Sequence, residues 1–143
     1  MINTGATGAI PRTDLYRLDK HAELYYEEIR KRENDVAAIA YNTGVPIEDI
    51  QRIKQHIFIN EYDLGEDIPR RFDPDYDMAI SWQRLIDGKN IQEMDTVLLR
   101  HELYEYTLMH EQQLSYSEAH EKAAELYNYQ MYTDELDRKA GLQ

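Results

Sequence analysis

The chain has 143 residues, no cysteine and a formal net charge of −12, with 42% hydrophobic and 31% charged residues. This length holds one domain with a real core, the composition is globular rather than disordered, and the missing thiols exclude disulfides and thiolate metal sites. The acidity disfavours phosphate backbones, no apolar run approaches the ~18 residues of a membrane span, and the first ten residues lack the charged start and apolar stretch of a signal peptide.

Residues 1–12 are Gly- and Thr-rich and close on Ile10-Pro11. They predict a flexible N-terminal arm or linker remnant, leaving 13–143 as a single all-α domain. Thr13 is placed to cap a first helix running to about Arg32, with Leu15, Leu18, Ala22, Tyr25, Tyr26 and Ile29 as its apolar stripe. A short second helix is expected from Asp35 to Asn42, capped by Asn34 and stopped at Gly44. The third starts at Pro46, carries Glu48 and Asp49 at the positive end of its dipole, and presents Ile47, Ile50, Ile53 and Ile57 on one face. Ala40, Gly44 and Ile50 have helix-turn-helix spacing. A DNA-binding regulator is therefore one alternative, although Glu48 and Asp49 open the would-be recognition helix with charges that repel phosphate.

The stretch from Asn60 to Asp77 is crowded with turn formers. Phe72, flanked by Arg70, Arg71 and Asp73, predicts an ordered loop anchored by one ring. A fourth helix covers about Asp77 to Ile86, with Met78, Ile80, Trp82 and Leu85, and ends at Gly88. Asn90 and Glu93 have capping-box spacing for a fifth helix to about Gln112, and Ser115 with Glu118 for a sixth to about Lys139. No segment alternates with period 2, so the expected fold is all-α, of five to six helices, closed by a long C-terminal helical hairpin from Asn90 to Lys139. Twelve tyrosines against two phenylalanines predict helix packing through aromatic groups with polar tips.

The candidate chemistry lies in that hairpin. His101 and Glu105 share a helix face at i, i+4, Glu102 is one residue round, and His120 follows on the next helix. His-Glu-x-x-Glu departs from the zinc motif His-Glu-x-x-His at its last ligand, so a divalent ion at His101, Glu105 and His120 is a subsidiary expectation. Around a turn near Gln113-Leu114, position 120 falls opposite about position 107. Glu105 then lies ~3 Å along and His101 ~9 Å along, at the helical rise of ~1.5 Å per residue. The favoured arrangement is an acid/base pair of Glu105 with His120, with His101 or Glu102 nearby. The plain alternative is an inter-helix hydrogen bond that sets register. His56, beside Ile57-Phe58, is a further imidazole at a helix end, and Arg71 and Arg84 are candidate anion holders or salt-bridge partners of nearby aspartates.

Several strings taken together carry a resemblance. They are Asn42-Thr43-Gly44; Ile53-Lys54 with His56-Ile57-Phe58; Arg71 to Ala79; Ser81-Trp82-Gln83-Arg84-Leu85; Asp95, Leu98-Leu99, His101-Glu102 and Glu105; Ala119-His120; and Tyr127-Asn128-Tyr129. Over about residues 34–129 the chain resembles a C-terminal domain of phage minor head proteins of the head-morphogenesis type and of bacterial polymorphic toxins. The resemblance implies an effector domain delivered by a carrier protein, in a cytoplasmic or virion-associated setting, with a non-catalytic head-assembly or protein-interaction module as the alternative. It also groups polar residues distant in sequence. His101, Glu102, Glu105, His120 and His56 are expected in hydrolysis or group transfer, with Arg71, Arg84 and Trp82 on the substrate.

Overall fold

The computed structural model describes residues 10–142. Among them it is all-helical, with seven α-helices: α1 Leu15–Lys31, α2 Asp35–Thr43, α3 Ile47–Lys54, α4 Tyr76–Asp87, α5 Glu93–Glu111, α6 Tyr116–Leu126 and α7 Tyr129–Lys139. The expected arm lies mostly outside the described residues. Its last member, Arg12, is held by carboxylates of Asp77 and Asp137, each 2.7 Å away.

The helix count exceeds the expected five to six because the predicted sixth helix is two. Tyr127 leaves helical geometry, and the Asn128 side chain accepts from the Met131 amide at 3.0 Å, starting α7 afresh. Two predicted caps also move. Asp14, not Thr13, caps α1 through the Arg17 amide. Gln92 and Asp95 form the capping box of α5, while Asn90 takes a left-handed turn (φ 57°).

A π-helical turn, Gln55–Ile59, extends α3. It carries three successive buried residues, His56, Ile57 and Phe58. Arg30 donates to the Phe58 carbonyl at 2.7 Å and ties the turn to α1.

The core gathers Tyr25, Tyr26 and Ile29 of α1, Ile39 of α2, Ile50 and Ile53 of α3, Ile57 and Phe58 of the π turn, Ala79, Trp82 and Leu85 of α4, and Leu99 of α5. Trp82, fully buried, meets Phe58 edge-on and donates its indole N–H to Asp35 at 3.1 Å. The other Asp35 oxygen accepts from Lys54 at 2.8 Å, and the same ammonium donates to the Arg32 carbonyl. Both charges are thus withdrawn from water but fully bonded. α2 packs on α4 through Asn42, which donates to the carbonyls of Leu85 and Ile86 at the end of α4. Gly88 ends that helix with φ +67°, and a β-carbon there would lie 2.8 Å from the Asn42 side chain.

Two substitutions test this frame. Asp35→Ala leaves Lys54 buried without its counter-charge and is expected to lower stability by about 3 kcal/mol, read as the denaturant midpoint by circular dichroism. Gly88→Ala combines a left-handed backbone with a clash against Asn42 and is expected to cost more than ~1 kcal/mol by the same measurement.

Candidate active site

α5 and α6 form the hairpin foreseen in the sequence. Gln113, left-handed at φ 56°, turns the chain, and the Leu114 amide closes on the Leu108 carbonyl. α5 turns His101, Glu102 and Glu105 inward, and all three are buried. The Ser115–Glu118 capping box starts α6 as predicted and sets His120 one turn into that helix.

The Glu105 carboxylate is the hub. His56 Nε2 lies 2.7 Å from its Oε1. His101 Nε2 and His120 Nδ1 lie 3.1 and 2.9 Å from its Oε2. The expected Glu105–His120 contact is therefore present. The helix arithmetic misplaced His101, whose ring centroid is 5.0 Å from that of His120. Counting rise along the axes ignores the reach of two rings and a glutamate, which close the remaining gap. Glu102 stands beside this group, 3.6 Å from His101 Nε2 and 3.9 Å from His56 Nε2.

The environment drives the two glutamates apart. Burial disfavours charge on Glu105, but hydrogen bonds from His101, His120 and His56 outweigh it and hold its pKa well below the usual carboxylate range. Burial, reinforced by the Glu105 charge, raises the pKa of Glu102 well above that range, against the pull of His101. The two carboxyls are thus pushed in opposite directions, Glu105 towards its ionised form and Glu102 towards its protonated form. Burial also opposes charge on His101, yet the Glu105 hydrogen bond, the Glu102 carboxyl and the Tyr127 carbonyl raise its pKa to about 9.

Outer groups fix the rings. His101 Nδ1 donates to the Tyr127 carbonyl at 2.9 Å, a group exposed by the α6–α7 break. His56 Nδ1 meets the Tyr62 hydroxyl at 2.7 Å, and that hydroxyl also contacts Asn60 and His110. Burial raises the Tyr62 pKa to about 12, against the Asn60 hydrogen bond. Phe72 packs on His56, Tyr62 and Tyr116, so one ring does anchor the 60–75 loop. Tyr62 and Arg70 pair as an isolated antiparallel bridge across that loop.

A cavity of about 500 Å³ opens onto the cluster. His101, Glu102, Glu105 and His120 line one side, and Tyr26, Phe72, Tyr116 and Tyr129 supply aromatic walls. Arg70, Asp73 and Asp75 reach it from the loop. His56 stands behind Glu105 and has no exposed surface. The three substrate-binding candidates are placed elsewhere. Trp82 is core. Arg84 makes a two-pronged ion pair with Asp95, at 2.8 and 2.7 Å, which uses its fork. Arg71 points outward and donates to the Ile59 carbonyl. Arg70, the neighbour of Arg71, lines the cavity instead, and it is bonded to Glu66 and Asp73.

Tyr62, Tyr116 and the Tyr127 carbonyl belong to no motif that marks a site in the sequence. The abundance of tyrosine is their one signal. Two overlapping sets of donors can hold a metal ion: His101, Glu105 and His120, and His56, Glu102 and Glu105, each with ligand atoms within 4.8 Å of one another. No family model, no curated protein and no solved structure matches the chain.

The contrast between the two glutamates is measurable. Glu105→Gln removes charge-assisted hydrogen bonds and is expected to cost about 2–3 kcal/mol. Glu102→Gln removes a carboxyl whose charge burial disfavours and is expected to shift stability by less than ~1 kcal/mol. Denaturant unfolding of both variants at pH 7 supplies the comparison.

Proposed function

We propose that the chain is an effector domain of the phage-minor-head or polymorphic-toxin kind, and that it hydrolyses its substrate in the cleft bounded by Glu102, Glu105, His101 and His120. The observation that carries this reading is the convergence of Glu102, Glu105, His101 and His120 on the wall of an open cavity, with both imidazoles within hydrogen-bond reach of one Glu105 oxygen. A cluster that served packing alone would need no opening beside it. Two carboxyl groups whose surroundings push their pKa values apart suit general acid–base chemistry. Glu102 supplies a proton to the departing group, and the attacking water gives its proton to the hydrogen-bonded Glu105–His120 pair.

Substrate charge follows from the lining. Asp73, Asp75 and Glu105 bring negative charge to the cavity, its one arginine is already paired, and the whole chain carries −12. A neutral or cationic ester or amide suits this field better than a phosphate. The helix-turn-helix reading gains no support from α2 and α3. DNA binding there calls for a basic face around Arg52 and Lys54, but Arg52 is bonded to Asp49 and Lys54 is buried on Asp35.

Expression of the chain in a bacterial host is expected to arrest growth, and Glu102→Gln and His120→Ala are expected to relieve the arrest while keeping the helical circular dichroism signal. With purified protein, hydrolysis of a panel of chromogenic ester and peptide substrates should fall by about 100-fold or more in Glu102→Gln, the scale of a lost acid–base group. Full activity in that variant overturns the proposal.

A further inference from the structure

Resting on the reading of this cleft as catalytic, we infer that His101 Nε2, Glu105 Oε2 and His120 Nδ1 form the binding site of a divalent transition-metal ion of the zinc type, open to the cavity on its fourth side.

The orientation of His101 points there first. A carbonyl oxygen only accepts, so the contact with Tyr127 fixes the His101 proton on Nδ1. In the neutral ring Nε2 then carries a lone pair, and it is aimed at a carboxylate oxygen 3.1 Å away. Lone pair facing lone pair is repulsive unless a cation lies between them. A proton serves in the metal-free protein, and a metal ion serves the same geometry.

The spacing is the second observation. Zinc bound tetrahedrally at ~2.0–2.1 Å from each donor sets its ligand atoms ~3.3 Å apart. The Glu105 oxygen is 3.1 Å from one imidazole nitrogen and 2.9 Å from the other, and all three donor atoms lie within 4.8 Å of one another. Two imidazoles and a carboxylate are a borderline donor set, suited to zinc rather than to magnesium or calcium.

The support behind the ligands is the third. Metal-bound histidines typically donate their second N–H to a carbonyl or carboxylate, and bound carboxylates are themselves hydrogen-bonded. His101 meets the first condition through Tyr127. Glu105 meets the second through His56 on its other oxygen, with Tyr62 behind that ring. His120 is half exposed, and Glu102 stands next to the group without being one of its three ligands. That leaves room in the cavity for a water on the ion, beside Glu102. Loading exchanges the protons held between Glu105 and the two ring nitrogens for the ion, and the protons pass to solvent.

The probes are Zn²⁺ and Co²⁺ added to untagged, chelator-stripped protein. Titration calorimetry is expected to give one zinc per chain, and Co²⁺ to give the strong visible bands of a low-coordinate site. His101→Ala and His120→Ala are expected to weaken zinc by more than the ~10–100-fold that loss of an outer partner costs, and His56→Ala by about that amount. Because His120 is partly exposed, its variant is expected to keep the native circular dichroism spectrum and to separate ligand loss from unfolding. Absence of zinc binding, or binding indifferent to His120→Ala, overturns the inference. If stripped protein that takes up no zinc still hydrolyses its substrate in a Glu102-dependent manner, the metal site falls and the proposed activity stands. If zinc binds with these ligands but Glu102→Gln stays fully active, the activity falls and the metal site stands.

Discussion

A carboxylate taken out of water loses several kcal/mol of solvation unless hydrogen bonds replace it, and Glu105 is 1% exposed. Three imidazoles supply the replacement, one from the π turn after α3, one from α5 itself and one from α6. Each of those elements must therefore arrive in register for the charge to be tolerated. The fold around the site follows from this demand. α6 must lie against α5, the π turn must swing His56 inward, and α6 must end where the Tyr127 carbonyl can steady His101.

The same charge organises its surroundings. Burial and the neighbouring Glu105 both disfavour a negative charge at Glu102. Two residues of one type, three positions apart on one helix, are thereby pushed towards opposite protonation states by their surroundings. The rest of the molecule does not compete for these groups. Arg84, Lys54 and Arg12 are each committed to aspartates that do not line the cavity.

The parts of the site that are legible in the sequence are those set by helix periodicity. His101 and Glu105 share a face at i, i+4, and the turn at Gln113 brings His120 to them. Capping chemistry likewise marks the start of α6. The features that periodicity does not disclose depend on departures from it. The Ile47, Ile50, Ile53, Ile57 stripe runs unbroken across the junction of α3 and the π turn, so nothing in the pattern signals the change of pitch that delivers His56. The choice of Arg70 over Arg71 is made by a two-residue bridge to Tyr62, a contact across an irregular loop. Nearness in sequence pairs Arg84 with the aspartates of the loop before it, whereas its partner, Asp95, is supplied by the capping box of the next helix. Tyr127 contributes a backbone carbonyl, and side-chain identity carries no trace of that role.

The π turn has a genetic consequence. Such a turn is an α-helical segment carrying one surplus residue. Deleting the His56 codon would return the segment to α geometry with the residues on either side close to their places. Ile50 and Ile53 would keep their places, because they precede the lesion. Glu105 would lose the imidazole on its buried oxygen while keeping the two that face the cleft. A single in-frame deletion thus separates the scaffold of this domain from the support of its reactive carboxylate, offering evolution a short route between an armed and a disarmed form of one fold.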